Sequence, residues 1–431
     1  FTARVERDSD LAWVKNTAYP AIDQIDSPDP STLTITWKQP FVDADSMFGS
    51  VSQRGLPLPR HLLERTYTDD KTSFLQLPYW SQEFIGSGAF KLTEWVPDSH
   101  LTLEAFPAYV LGRPKIDQIE VRLVGDTNTV VANILAGGVD LTLDGRTIPF
   151  EDGRNLAGQW QGGRLELGLG GVVTIFTQFL NPDPQIVANV QFRRALMHAL
   201  DRQELVDTIQ GGFGGVAHTY LGPGQIEYSE IESALVKYDY DPRKAAQLIE
   251  GLGYFKGADG VYRDGANQKL SFPFHTTITT VNQKSTLATA DAWQRAGLEP
   301  QVETIPLQRQ ADLAFMNTLP AFHLIRIGRN VTAFQSLRSN QAAVPENNFT
   351  GANRGRYQSP ELDTLIDHYF AAIPRADRMR ALGEVLHFVT DQLPVMNVLF
   401  DPDAIMVSNR LKNVESGSPW KSEQWEIVRE G

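Results

Sequence analysis

The sequence predicts an α/β protein built from two unlike lobes. Its first half alternates short strands with turns, whereas its second half is dominated by helices with clear start and stop signals. A mixed element order of this kind indicates two packed units. The length of 431 residues agrees with two or three domains, because one domain takes about 150 residues. A hydrophobic fraction of 42% and a charged fraction of 21% are typical of a globular chain.

Alternation of apolar and polar residues predicts the strands of the first half. The first four cover residues 32–37, 90–95, 101–105 and 116–124. A helix over about 128–135 follows, and Gly137-Gly138 ends it. The β-branched and aromatic run 172–179 predicts a further strand, which Asn181-Pro182 terminates. We interpret this strand as the crossing from the first lobe to the second.

Capping signals predict the helices of the second half. Asp201 with Glu204 three residues later has the spacing of a capping box, which starts a helix. Asp241-Pro242 and Ser359-Pro360 each supply an N-cap followed by a proline in the first turn. A predicted β-α-β unit covers residues 270–276, 286–296 and 301–305.

These elements predict the domain boundaries. The last helix leads into an apolar strand at 395–400, which we interpret as the return to the first lobe. We therefore expect residues 405–425 to pack on the first lobe. The predicted units are lobe one at 1–178, with a small β-rich subdomain at about 1–112 and a sheet subdomain at about 113–178, lobe two at 179–398, and a return to lobe one at 399–431.

Composition excludes several classes of protein. The net charge of −13 is opposite to that expected of a nucleic-acid-binding protein. The absence of cysteine excludes a disulfide framework, a thiolate metal site and a cysteine nucleophile. No apolar stretch reaches about 18 residues, so the sequence predicts no transmembrane helix.

Short motifs that resemble cofactor or metal sites lack the context that such sites need. Residues 212–217 formally fit G-x-G-x-x-A, but a helix precedes them where the dinucleotide motif requires a strand. Asp259-Gly260 and Asp264-Gly265 resemble half of a calcium loop without its closing glutamate, which favours a hairpin. The eight histidines never adopt zinc-ligand spacing. We therefore predict no metal, cofactor or catalytic residue, although a carboxylate pair assembled only in three dimensions stays open.

The end of the predicted strand 322–327 carries a cluster of polar side chains. Arg326 lies within the strand, and Gly328-Arg329-Asn330 follows it directly. Two guanidinium groups and an amide at a strand exit can bind a carboxylate or a carbonyl-rich ligand. The alternative is that these are solvated surface cations. The residues alone leave both interpretations open.

Nine motifs follow one another in a fixed order over nearly the whole chain. They are residues 86–95, 101–105, 112–117, 133–140, 190–196, 240–245, 348–351, 359–363 and 393–395. Together they resemble the family 5 extracellular solute-binding proteins, which are the peptide- and nickel-type binding components of bacterial ABC importers.

The resemblance implies a two-lobed class-C periplasmic-binding-protein fold with mixed sheets in each lobe. It further implies a receptor outside the cytoplasm, periplasmic or extracellular, with or without a lipid anchor. Such a receptor captures a peptide-like or oligomeric solute between hinged lobes and delivers it to the membrane permease of an ABC importer as a monomer. On this fold we expect the ligand to contact Phe176 and Gln178 beside the crossing strand, Asp140 after the Gly137-Gly138 turn, Trp420, and Arg326, Arg329 and Asn330.

Two departures from the family pattern qualify these expectations. Family members normally carry a further segment before the motif at Phe1-Thr2-Ala3, so the expected fold lacks the opening strands of lobe one. Peptide-binding members place an aspartate in lobe two that pairs with the peptide amino group, whereas residues 323–334 here contain no acidic residue. The ligand class therefore stays open, and a hydrolase or a peptide-holding chaperone remain alternatives.

Overall fold

The computed structural model describes residues 1–11, 18–45, 47, 56–143, 147–415 and 421–428. Its α-helices are α1 (Thr2–Glu6), α2 (Arg60–Asp69), α3 (Lys71–Phe74), α4 (Thr127–Leu135), α5 (Phe150–Ala157), α6 (Val190–His198), α7 (Arg202–Gln210), α8 (Tyr228–Ile231), α9 (Pro242–Gly251), α10 (Thr280–Ala296), α11 (Leu313–Asn317), α12 (Pro360–Ala371) and α13 (Arg375–Gln392). Its strands are β1 (Ile22–Asp29), β2 (Thr32–Trp37), β3 (Phe90–Val96), β4 (His100–Ala105), β5 (Gln118–Arg122), β6 (Gly163–Thr177), β7 (Phe255–Lys256), β8 (Tyr262–Arg263), β9 (Ser271–Thr276), β10 (Glu299–Thr304), β11 (Phe322–Gly328), β12 (Val395–Ser408), β13 (Leu411–Lys412) and β14 (Glu426–Ile427).

The predicted capping signals start the helices of the second half. The Asp201 carboxylate accepts a hydrogen bond from the backbone N–H of Glu204 at 3.0 Å, and the Ser359 hydroxyl accepts one from that of Leu362 at 3.2 Å. Helix α7 ends at Gly211, whose φ of +58° lies in the left-handed region that favours glycine. None of the helices in the described ranges is both long and apolar enough to cross a membrane.

A five-stranded mixed sheet with the order β10-β9-β11-β6-β12 organises the second half of the chain. β9 pairs in parallel with both β10 and β11. β6 pairs in antiparallel fashion with both β11 and β12. The unit β9-α10-β10 is the predicted β-α-β unit. Helices cover both faces of the sheet, so most residues of β11, of β12 and of β6 from Gly171 onward are buried.

Each face of this sheet has its own core. One core joins the sheet to α6, α9 and α10, with Trp293 fully buried among Phe272, Phe274 and Phe322. The other joins it to α12 and α13 and contains Val172, Phe176 and Phe400. Burial of this much apolar surface is the main stabilising term of the unit.

β6 and β12 form one long antiparallel ribbon, which crosses between the two halves of the molecule. The two strands pair along their whole lengths, but β11 pairs with β6 only over residues 171–177. Beyond Gly171 the ribbon therefore leaves the five-stranded sheet. Its outer half packs with α4 and α5, where Met406 lies in a core with Ile134 and Leu156.

The first half of the chain contains the predicted strands, but it also contains helices α1, α2, α3 and α5, which the sequence did not predict. β1 and β2 form a hairpin, and β3, β4 and β5 form a separate antiparallel sheet. The C-terminal segment returns to this half, because Val407 and Trp425 share a core with Ile116 and Ile119. Residues 416–420 lie outside the described residues, and the return of the chain to lobe one stays a prediction.

The run 172–179, which the sequence predicts as the crossing, lies mostly in a central strand of the five-stranded sheet. The pairing with β11 ends at Gly171, in the glycine-rich segment before this run. The position of the boundary between the lobes stays a prediction. A β-branched and aromatic run indicates a buried strand, and two buried faces rather than an interlobe path explain it here.

Candidate functional site

The backbones of β6 and β12 lie in close contact where the two strands cross between the lobes. Asp401 pairs with Gly171 and Asp403 with Gly168, so β6 carries one more residue than β12 and forms a bulge there. Gly170 has a φ of +73°, and a Cβ atom at this position would lie 2.1 Å from the carbonyl oxygen of Asp401. Only glycine fits this position.

Arg326 links β11 to both aspartates of the crossing. Its Nε donates to Oδ2 of Asp401 at 2.5 Å, and its Nη2 donates to Oδ1 of Asp403. The side chains of Arg326 and Asp401 are only 12% and 8% exposed. Gln210 at the end of α7 donates from Nε2 to the other carboxylate oxygen of Asp401 at 2.6 Å. Two carboxylates therefore match the charge of Arg326.

Burial governs the protonation of Asp401. Desolvation raises the pKa of its carboxyl group, while the neighbouring Arg326 and the hydrogen bond from Gln210 oppose that rise. The backbone N–H of Arg326 donates to Oδ1 of Asn282 at 2.7 Å, which fixes the strand that carries the guanidinium group.

Arg329 lies three residues further along and has only neutral partners. Its Nη1 donates to the carbonyl oxygen of Leu169 at 3.0 Å, and its Nη2 donates to Oε1 of Gln225 at 3.0 Å. Its guanidinium carbon lies 4.1 Å from the centre of the Phe400 ring, within cation–π distance. Its Nε is buried and has no hydrogen-bond partner among the described residues, and burial lowers the pKa of the side chain.

The arrangement at Arg329 suits the binding of an anion. A guanidinium group has five N–H donors. Two hydrogen bonds hold this one in place, and no carboxylate of the described chain pairs with it. Gly222 makes room for it, since a Cβ atom there would lie 2.5 Å from Nη2. Asn330 beside it is exposed, and its Oδ1 accepts a hydrogen bond from Thr332.

The other predicted site residues lie away from the crossing. Asp140 binds Arg410 through both carboxylate oxygens, and its backbone carbonyl accepts from the N–H of Ser408 at 2.8 Å. Ser408 is seven residues from Asp401 on β12, or about 23 Å along an extended strand. The structure thus places Asp140 at the lobe-one end of the ribbon.

Phe176 and Gln178 lie at the opposite end. Phe176 is 8% exposed within the core under α12 and α13. Gln178 is buried, where its Oε1 accepts from Nε of Arg356 at 2.8 Å and its Nε2 donates to the carbonyl of Asn317 at 3.1 Å. Trp420 lies outside the described residues. The structure therefore brings together only Arg326, Arg329 and Asn330, and the role of all seven residues in ligand binding stays a prediction.

Sequence reasoning missed four residues of the crossing, namely Gln225, Phe400, Asp401 and Asp403. A signal for two of them was present, since Asp401-Pro402-Asp403 directly follows an apolar strand. Proline cannot donate to a sheet ladder and marks a bulge or a strand end. No pattern in the sequence indicates Gln225, because it reaches Arg329 from a loop.

The described residues offer no group of three or more His, Asp or Glu side chains that could hold a metal ion. The two carboxylates nearest each other at the crossing, Asp401 and Asp403, are both bound to Arg326. What the site offers chemically is recognition of an oxygen-rich group by a fixed guanidinium.

Two lobes that share a pair of crossing strands define a hinged solute-binding fold. In fold the chain is similar to the oligopeptide-binding protein AppA of Bacillus subtilis in complex with a nonapeptide, with a TM-score of 0.80 and 18% identity over 100% of this chain and 82% of that one. It is also similar to NikZ from Campylobacter jejuni in complex with Ni(L-His), with a TM-score of 0.78 and 18% identity over 95% and 79% of the two chains.

The sequence comparisons agree with the fold. A protein of Brucella melitensis named as an ABC transporter peptide-binding protein is 22% identical over 99% of this chain and 78% of its own length. The model of the bacterial extracellular solute-binding proteins, family 5 Middle, matches residues 3–332. The chain therefore belongs to the family 5 extracellular solute-binding proteins.

Proposed function

We propose that this receptor captures a peptide-like or oligomeric solute at the crossing between its lobes and delivers it to the permease of an ABC importer. The observation that carries the proposal is Arg329, a half-buried guanidinium group at the crossing that only neutral groups hold. A buried cation without a carboxylate partner is costly, and an oxygen-rich ligand offsets that cost.

The ligand that suits this site carries a carboxylate or several carbonyl groups. Arginine binds such groups with two parallel N–H donors in a fixed plane. The nonapeptide and the Ni(L-His) bound by the two similar proteins both contain such oxygens. We place Arg329 and Asn330 in contact with the ligand, and we assign Arg326 to the support of the crossing because its charge is already matched.

The lobes follow from the strand pairing. We propose that lobe one covers residues 1–170 and 403–431 and that lobe two covers residues 171–402, with the hinge at the bulge. The receptor then works outside the cytoplasm, as a monomer, with the two lobes closing on the solute. Closure around a ligand requires two rigid units joined by a few strands, and the β6–β12 ribbon meets that requirement.

Native mass spectrometry of the protein as purified tests the proposal. We expect a retained small molecule, which is then identified and titrated back onto stripped protein by calorimetry. Saturable binding of one intact molecule per chain supports a receptor. A ligand whose mass changes on incubation would indicate a hydrolase. Equal binding of unrelated unfolded polypeptides would indicate a chaperone.

A further inference from the structure

The hairpin β1–β2 and the residues that pack on it form a small unit near the N-terminus, which we call the hairpin unit. Phe41 follows this hairpin in the chain and lies between two other aromatic rings. Its ring stacks on that of Trp37, with centres 4.7 Å apart and planes at 15°. On its other side it stacks on Phe370 of α12, at 5.6 Å and 16°. On the proposed lobe bounds Trp37 belongs to lobe one and Phe370 to lobe two, so this column of three rings joins the two lobes.

Backbone and charge contacts accompany the rings. The N–H of Val42 donates to the carbonyl of Phe370 at 2.9 Å. That carbonyl is one of the last of α12, which lack partners within the helix. Asp43 lies partly buried near Arg378 of α13, where burial raises the pKa of its carboxyl group and Arg378 opposes the rise. The segment thus contacts α12 through both a side chain and the backbone.

Phe41 takes part in two separate cores. It packs against the small core of the hairpin unit, with Tyr19, Ile22 and Trp37. It also packs, with Val42, against the lobe-two core that contains Phe370. Phe41 is therefore a point of contact between the core of the hairpin unit and the core of lobe two.

We propose that residues 37–42 form a latch that holds lobe two against the N-terminal unit and so stabilises the arrangement of the lobes seen here. The β6–β12 ribbon joins the lobes covalently. The latch joins them by non-covalent contacts between the segment after β2 and helix α12. A hinge motion at the ribbon separates Phe41 from Phe370. The latch rests on the proposed capture between two lobes, but it is tested without ligand.

Fluorescence energy transfer on single ligand-free molecules tests the latch. Because the chain contains no cysteine, dyes attach only at introduced positions. Ser31→Cys at the exposed hairpin tip and Lys244→Cys on the exposed start of α9 report the distance between the lobes. Stacked rings of this geometry contribute up to roughly a tenfold shift of an equilibrium. We expect Phe41→Ala to raise the open-to-latched ratio on the order of tenfold.

Matched variants separate the latch from general loss of structure. Ile35→Ala removes a side chain from the same small core without touching lobe two, and it should leave the distance distribution unchanged. Phe41→Leu keeps most of the volume and should give an intermediate shift if Phe41→Ala unfolds the hairpin unit. Distance distributions of both Phe41 variants that match wild type would overturn the latch, whether or not the protein binds a solute.

Discussion

The two ends of the lobe-two sheet both bury polar side chains, but they do so in different ways. At the crossing end, Arg326 is matched by two carboxylates, and Arg329 keeps N–H donors that no group of the described residues accepts. At the far end, Gln178 is satisfied by backbone and side-chain partners, and His323 is buried within the sheet.

This difference separates structural polar groups from groups that suit a ligand. Buried polar groups that are fully hydrogen-bonded hold a fold together and leave little capacity for a further partner. A guanidinium held at two points in neutral surroundings is fixed in place and still able to bind. The comparison of Gln178 with Arg329 therefore predicts that a change at Gln178 alters stability, whereas a change at Arg329 alters affinity.

The largest effect is expected from Arg326→Ala. It leaves the buried Asp401 and the partly buried Asp403 without a countercharge, and breaking a buried ion pair in this way costs about 3–5 kcal/mol. Urea denaturation followed by circular dichroism measures the free energy of unfolding. The matched control is Arg375→Ala, whose exposed pair with Glu230 should contribute less than about 1 kcal/mol. Equal losses for the two variants would show that the crossing does not depend on Arg326.

Arg329→Ala should act on binding. A hydrogen bond to a charged ligand contributes about 1.5–3 kcal/mol, which corresponds to a roughly ten- to 150-fold loss of affinity. The free energy of unfolding without ligand should fall by less than the roughly 3–5 kcal/mol expected for Arg326→Ala, because no carboxylate is left without its countercharge. Calorimetric titration with the retained ligand measures the affinity. Arg243 is exposed, and Arg243→Ala, which removes the same charge from lobe two, should bind the ligand as wild type does. An unchanged affinity in Arg329→Ala would show that Arg329 is a solvated cation that does not contact the ligand.

Gln178→Leu should show the opposite behaviour. It leaves the buried Nε of Arg356 without an acceptor, which costs about 1–3 kcal/mol of stability. Affinity measured by the same titration should stay within about twofold of wild type, since Gln178 has no capacity left for a ligand. Gln203→Leu on the exposed face of α7 controls for loss of an amide. A large loss of affinity with normal stability would restore Gln178 as a ligand contact.

The sequence predicts most elements of the second half of the chain, because capping at Asp201 and Ser359 is a local signal, and local signals decide where elements begin and end. The neighbourhood of a candidate site residue depends on which strand pairs with which, and the sequence does not state that. A buried central strand and an interlobe strand look alike in composition, so the sequence could not show that Phe176 and Gln178 lie at the end of β6 opposite to Gly171. Arg326 and Arg329 are close in sequence at one strand exit, so their proximity was predictable, whereas their role in ligand binding stays a prediction.

The last effect, which is visible only in acid, is expected from His323 at the far end. The residue is 5% exposed, its Nε2 has no hydrogen-bond partner, and burial lowers its pKa to about 3, with the charge of Arg354 acting in the same direction. In the unfolded chain the pKa is about 6.5. Between these two values the unfolded state binds a proton that the folded state does not. The stability tied to neutral His323 is therefore complete above about pH 6.5 and is lost as the pH falls toward 3, by at most about 1.4 kcal/mol per pH unit.

Replacing His323 by leucine removes that loss. The free energy of unfolding of His323→Leu should accordingly fall less steeply than that of wild type between about pH 6.5 and 4.5, while the two proteins differ by a constant amount above that range. Urea denaturation at a series of pH values measures both slopes. His61→Leu, at an exposed position on α2, controls for the removal of a histidine as such. Parallel curves for His323→Leu and wild type would mean that His323 is protonated as readily in the folded state as in the unfolded state. Burial at the far end of the sheet would then not lower the pKa of His323.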